Sequence, residues 1–259
     1  MKDDKARDQQ AQLAPAEAAR RRFLAGVAGA AGVALAPGVL LYGVAGAKAP
    51  DAPVTDQVRW GLLIDTTKCA TECDACVTAC KTENGWGQNE VRSRPDQRAH
   101  WIRKLTVKDR SSGHVMSMPM MCQHCETAPC ADVCPTGASF RRIDGIVLVD
   151  KHICIGCRYC MMACPYKARS FIHENLEGQK PYAPRGKGTV ESCTLCVHRV
   201  DAGEQPACVV ACNRDGHKAM VFGDLRDPNS EISKVIRARG STQVRADLQL
   251  NPGVQYQGF

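Results

Sequence analysis

Sixteen cysteines in 259 residues stand in four groups of four, with none left over. The groups are Cys69, Cys73, Cys76, Cys80; Cys122, Cys125, Cys130, Cys134; Cys154, Cys157, Cys160, Cys164; and Cys193, Cys196, Cys208, Cys212. Thiolates bind soft metals, and a cubane iron–sulfur cluster takes four of them. These sixteen thiols therefore match the ligand demand of four [4Fe–4S] clusters. The chain shows no competing catalytic constellation. No G-x-G-x-x-G loop follows a strand, and Arg185-Gly186-Lys187-Gly188 lacks the P-loop spacing. Four one-electron centres with no reactive site beside them make a conductor of electrons and not an enzyme.

The spacing carries more than the count. Group three reads C-I-G-C-R-Y-C-M-M-A-C-P, the C-x2-C-x2-C-x3-C-P run of two-cluster ferredoxins, whose fourth cysteine ligates the other cluster of the pair. Pro165 then turns the chain away, since its φ is locked and it has no N–H. Group two is the same device with two extra residues before Cys130, and it keeps Pro135. The outer groups are looser. Three residues follow Cys69, Lys81 follows Cys80, a long loop precedes Cys208, and Asn213 follows Cys212. Each still ends in C-x3-C, so groups two and three pair, and groups one and four pair. The expected ligand sets are Cys122, Cys125, Cys130, Cys164; Cys154, Cys157, Cys160, Cys134; Cys69, Cys73, Cys76, Cys212; and Cys193, Cys196, Cys208, Cys80.

Two other chemistries use cysteines in numbers. Zinc sites take four thiolates from two separated C-x2-C pairs, not from a triplet followed by C-P. Disulfides suit an exported chain, but C-x2-C-x2-C crowds thiols too closely for an orderly framework. His124, His152 and His198 flank the cysteine groups and are expected to pack or hydrogen-bond near sulfur, since four cysteines already fill each site. Lys81, Arg141, Arg142, Arg158 and Arg199 are candidates for raising cluster potentials by their charge.

Residues 1–47 address the chain. A polar start leads to Arg20-Arg21-Arg22-Phe23-Leu24, then an Ala/Gly-rich apolar stretch ending near Ala45-Gly46-Ala47. Twin arginines before a weakly hydrophobic core fit a Tat signal, a route for proteins folded around cofactors in the cytoplasm. The location expected is periplasmic, peripheral to the membrane. An uncleaved anchor is the competing reading, though Pro37, Gly38 and many alanines make a poor span. The net charge of +7 misleads. Residues 1–47 hold six Lys/Arg against four Asp/Glu, which leaves +5 for the rest. Four oxidised cubanes with their thiolates add about −8, so the loaded protein is acidic, which argues against nucleic acid as a partner.

The elements must hold these loops with few aromatics, 5% of residues. A strand is expected over Arg59–Asp65, a helix over Asp74–Thr82, a polar loop over 83–97, and a hairpin of His100–Lys108 and Val115–Met120 about Asp109–Gly113. Phe140–Asp150 holds an Asp144-Gly145 type I′ hairpin signal. Closing strands fall at Ala168–Glu174 and Ala219–Phe222, and Ser230 caps a helix over Glu231–Arg239. The fold expected is α+β: two nested ferredoxin-like βαββαβ modules, the outer over 58–120 and 186–240, the inner over 121–185, with a hairpin insertion and long loops. Residues 241–259 read as a tail without a hydrophobic element.

With those motifs in place, the four groups and V-F-G-D-L-R-D-P-N-S (Val221–Ser230) resemble the four-cluster subunits of the molybdopterin-oxidoreductase and NrfC group. More narrowly, W-G-L-L-I-D-T-T-K-C, P-R-G-K-G-T-V-E-S-C-T-L-C-V-H-R-V-D and A-C-N-R-D-G-H-K-A-M-V-F-G-D-L are similar to the DsrO family, periplasmic subunits of the DsrMKJOP complex that accompanies dissimilatory sulfite reductase. That resemblance implies an NrfD-type membrane subunit handling quinone, a multihaem cytochrome c as a further partner, other subunits of a membrane complex, and sulfur metabolism. An iron–sulfur subunit of a periplasmic molybdoenzyme and a freestanding polyferredoxin are the alternatives.

Overall fold

A computed structural model describes residues 54–87, 94–214 and 217–258. The expected export segment and its arginines lie outside the described residues, as does the middle of the 83–97 loop. From Lys48 onward the chain groups into one compact unit.

Strand β1 (Trp60–Asp65) is the spine. Leu62, Leu63 and Ile64 are all buried, a continuous apolar run that suits a strand covered on both faces. It lies between β8 (Met220–Asp224), antiparallel with Leu62 opposite Phe222, and β9 (Val254–Gln257), parallel with Leu62 opposite Val254. The remaining strands form two-stranded ribbons. β2 (Ile102–Lys108) and β3 (Val115–Met121) make the expected hairpin. The Asp109 carboxylate accepts from Ser111 N at 2.8 Å and Ser112 Oγ at 2.7 Å in its turn. β4 (Ser139–Arg141) pairs with β5 (Val147–Val149), and β6 (Ser170–Phe171) with β7 (Val190–Glu191).

Four of the described helices carry cysteines, and all are short. α1 (Ala75–Asn84) is closed by Gly85 in the left-handed region, φ 69°, with Gly85 N donating to Lys81 O at 2.8 Å. α2 (Pro129–Asp132) and α3 (Tyr159–Ala163) pack together, as do α1 and α5 (Ala207–Arg214). α4 (Val197–Asp201) follows the fourth cysteine pair. In α6 (Glu231–Arg239) Ser230 Oγ accepts from Ser233 N at 3.3 Å, the expected cap.

Four expectations change. The strands do not assemble into two four-stranded βαββαβ sheets; β6, within 121–185, pairs with β7, within 186–240. A two-residue strand leaves no alternation to read, so β7 is invisible in sequence. The 83–97 loop is shorter at both ends, since α1 runs to Asn84 and Pro95–Gln97 forms a 3₁₀ turn. The Asp144-Gly145 hairpin is not a two-residue turn: Arg142 N donates to Ile146 O and Gly145 N to Arg142 O, with φ 92° at Gly145 and no positive φ at Asp144. That is a three-residue loop, a type I turn ending in a glycine bulge. Lastly, 241–259 is no tail. Val254 and Tyr256 are buried, and Tyr256 Oη donates to Pro119 O at 3.0 Å. Four residues that alternate in burial look like noise until β1 supplies the register.

Candidate metal centres

Helix pairing decides which sulfurs meet. On α1, Cys76 and Cys80 are four residues apart and share a face, and α5 presents Cys208 and Cys212 likewise. Cys69, Cys73, Cys76 and Cys212 line one cavity. Cys80, Cys193, Cys196 and Cys208 are mutual neighbours. In the α2–α3 pair, one cavity is lined by Cys122, Cys125, Cys130 and Cys164, another by Cys134, Cys154, Cys157 and Cys160. The four sets brought together are those expected from the C-x3-C swap.

The loops take these shapes at specific backbone positions. His124, Arg158, Leu195 and Cys196 adopt positive φ beside ligating positions, the conformations that curl a loop round a centre. Gly156, φ 71°, sits where a Cβ would fall 2.1 Å from Gly188 O, so no side chain fits between Ile155 and Cys157.

The donor set fits an iron–sulfur cubane. Burial, reinforced by neighbouring sulfurs, pushes Cys76 and Cys125 up to about 12 and holds Cys193 and Cys208 well above the usual thiol value. Such thiols ionise only with positive metal among them, so loading releases protons. Among the described residues no three His, Cys, Asp or Glu converge as a single-ion site. The sulfurs of three sets instead line cavities, as a multi-iron core requires and a zinc site does not.

Protein donors already point at the sulfurs. Trp86, fully buried, donates Nε1–H to Cys80 Sγ at 3.2 Å, and Asn84 Nδ2 lies 3.6 Å from Cys80 Sγ and 3.9 Å from Cys196 Sγ. Backbone N–H groups of Ser139, Ala168 and Leu195 reach Cys134, Cys164 and Cys193 at 3.4–3.5 Å. Arg169 is the side chain that sequence reasoning missed. It is 5% exposed, and its Nη2 donates to Cys130 Sγ at 3.0 Å. Burial works against its charge, but Cys130, Cys122 and Cys160 more than offset that, so it touches both the Cys122 and the Cys154 sets. Its Nε and Nη1 are buried without a protein partner, as expected of donors awaiting cluster sulfide.

The expected basic residues make these contacts. Arg142 pairs with Asp144 and Asp201, Arg199 with Glu83 and Glu204, and Arg158 lies 3.9 Å over the Phe171 ring. Lys81 lies 5.2 Å from the Trp86 ring centroid, and Arg141 is exposed. The histidines behave as packing and hydrogen-bonding groups. His124 Nδ1 accepts from Val147 N at 3.0 Å, and burial drives its pKa down to about 4. His198 Nε2 lies 2.7 Å from Glu83 Oε1, while His152 is exposed.

Scaffold contacts hold the loops. Lys104 Nζ on β2 donates to the carbonyls of Ala70 and Cys73 at 2.5 and 2.6 Å, clamping the first loop, while its neighbour Arg103 grips the carbonyls of Tyr166 and Lys167. The C-terminal segment straps the second loop, with Gly253 N donating to Gln123 O and Glu126 N to Leu250 O. Arg185 makes a bidentate pair with the fully buried Glu191 at 2.7 and 2.8 Å and donates to Gly85 O at 2.6 Å, tying the fourth group to the end of α1.

The sets differ in access. Cys157 is exposed, and Cys69, Cys73, Cys134 and Cys154 are partly so, whereas every cysteine of the Cys122 and Cys193 sets is buried. Ile155, 67% exposed, and Met162, 75% exposed, flank Cys157 together with Tyr159.

Comparison with known proteins agrees with this donor set. Residues 114–225 match the 4Fe-4S dicluster domain. The chain is 43% identical over 229 residues to Hdr-like menaquinol oxidoreductase iron-sulfur subunit 1 of Archaeoglobus fulgidus, covering 78% of this chain and 84% of that one. It is 37% identical over 241 residues to protein NrfC of Escherichia coli, covering 90% and 92%. With the arsenate respiratory reductase iron-sulfur subunit ArrB of a Shewanella species it shares 33% over 237 residues, covering 77% and 96%. With 4Fe–4S clusters as its cofactors and no catalytic site of its own, the chain belongs to the NrfC/DMSO-reductase family of iron–sulfur electron-transfer subunits of oxidoreductase complexes.

Proposed function

We propose that the four cysteine sets each hold one [4Fe–4S] cluster, and that the chain relays electrons between a quinone-reactive NrfD-type membrane subunit and a multihaem cytochrome c on the periplasmic side, in dissimilatory sulfur metabolism, as a DsrO-type subunit would. The observation that carries the relay reading is the pairing of two buried sets with two that reach the surface. Bound clusters supply one-electron chemistry. The chain's own part is to fix their places through α1–α5 and α2–α3, to exclude water from the buried sets, and to direct N–H groups of Trp86, Asn84 and Arg169 at sulfur, which favours the more negative, reduced state. No helix among the described residues is long and apolar enough to cross a membrane, so the membrane step falls to a partner. On this reading, exposed Ile155, Tyr159 and Met162 form its contact face beside Cys157.

Iron and acid-labile sulfide analysis with an EPR redox titration tests the cofactor assignment. About sixteen irons per chain are expected, and a carefully prepared protein with markedly fewer would overturn it. Copurification of a multihaem cytochrome supports the relay. Molybdenum in the purified complex would instead support the alternative, an iron–sulfur subunit of a periplasmic molybdopterin oxidoreductase, which draws on the likeness to ArrB, the iron–sulfur subunit of a respiratory reductase. Replacing Arg20 and Arg21 should leave the protein in the cytoplasm; unchanged export would remove the Tat assignment.

A further inference from the structure

A cavity of about 400 Å3 lies beside the α2–α3 cysteine sets, and its lining is one-sided in charge. Among the described residues, Arg98, Arg103, Arg158, Lys167 and Arg169 contribute five cations against one carboxylate, Asp96. That carboxylate is turned to Arg94 at 3.2 Å and does not neutralise the group. Arg169 directs Nη2 at Cys130, so its charge serves the cysteine sets. Among the described residues, none of the other four is directed at a cysteine. Arg98 Nε is buried without a partner. Arg103 is braced by the carbonyls of Tyr166 and Lys167, and Arg158 by the Phe171 ring, which holds their guanidinium planes in place. Bringing like charges together is unfavourable unless an anion joins them, and forked N–H donors in fixed orientation match the oxygens of a phosphate-like ion.

We propose that this cavity binds a small divalent oxyanion of the phosphate or sulfate type, and that Arg169 couples its occupancy to the redox state of the Cys122 and Cys154 sets. Each electron arriving there adds one negative charge across Arg169 from the bound ion, which weakens binding. Linkage makes the effect mutual: an ion that prefers the oxidised form lowers the reduction potential. The cavity thereby makes the conductance of the chain responsive to an anion in its surroundings. The ion-binding part stands independently of which partners the relay has.

The test uses the loaded, oxidised protein at low ionic strength, titrated calorimetrically with sodium phosphate. One saturable site is expected, with affinity at least tenfold weaker in the double variant Arg98→Gln/Lys167→Gln. Removing two charges from the far end of the β2–β3 hairpin, Lys108→Gln/Arg110→Gln, should leave it unchanged. Iron content of each variant checks that it has folded and loaded. Absence of saturable binding below about 10 mM, weaker than any specific site of this charge, would overturn the site, as would equal affinity in the two double variants. An octaglutamate peptide that binds where phosphate does not would reassign the cavity to an acidic protein partner. The coupling is read on the wild-type protein by EPR during titration at an electrode with mediators. Saturating phosphate should lower the midpoint of two clusters relative to chloride at equal ionic strength. A tenfold preference for the oxidised form reads as 59 mV per one-electron step, and an unmoved midpoint would overturn the coupling.

Discussion

The buried and the surface-reaching cysteine sets solve the same problem with different materials. Around Cys80 and Cys196 the chain supplies side-chain donors from Trp86 and Asn84, and around Cys130 it supplies Arg169. At the rim, Cys134 receives the Ser139 N–H and has the Thr136 hydroxyl 3.7 Å away. Water hydrates an exposed sulfur, but a buried anionic centre without donors would bear the full cost of desolvation. The protein therefore places its tryptophan and its buried arginine where water cannot go. The comparison teaches that side-chain N–H donors are kept for buried sulfurs, whereas backbone N–H groups serve buried and exposed sulfurs alike.

The largest effect expected is at the ligands themselves. Cys208→Ser, in a buried set, should remove about four irons per chain and abolish accumulation of folded protein, because an open site is left inside the core. Cys157→Ser at the rim should lose the same iron yet leave a soluble chain retaining the other clusters. Equal yields of the two variants would break the contrast. Next comes Arg185→Met, which strands the buried Glu191 carboxylate beside the fourth group. It should cost about 3–5 kcal/mol in chemical denaturation, and Arg185→Met/Glu191→Leu should recover most of that.

Arg169→Gln should leave the iron content unchanged and lower the midpoints of the Cys122 and Cys154 clusters by about 60 mV or more, the value of roughly 1.4 kcal/mol for one electron. Arg169→Lys should restore much of the shift; a shift confined to the Cys69 cluster would contradict the placement of the charge. The smallest contrast sets Trp86→Phe against Thr136→Val. Losing the Cys80 hydrogen bond should cost about 1 kcal/mol and lower one midpoint measurably, whereas Thr136→Val at the wet rim should fall within about 0.5 kcal/mol.

Local features were legible where the chemistry is local. The hairpin about Asp109–Gly113 announced itself by alternation and turn residues, and the Ser230 cap by a serine before an amphipathic run. The cysteine sets were legible because C-x3-C carries the last thiol away from the first three, along one helix face in α1 and α5 and just past the helix end in α2 and α3. What was missed was non-local. Arg169 looks like any arginine after a proline-ended cysteine run until α2 and α3 bring Cys130 and Cys160 to it. Lys104 reaches the first loop only because β2 folds beside it. The Tyr256 hydroxyl meets Pro119, 137 residues away.

By itself, the sequence determined the cofactor chemistry and predicted which cysteines lie together, because four thiols at fixed short spacing admit few metal cores and a C-x3-C step sends the last thiol to the neighbouring group. The tertiary structure decided which centres are dry, which charges face them and where the C-terminal strand lies. Those properties depend on burial and on pairings across more than a hundred residues, and no short-range pattern records them.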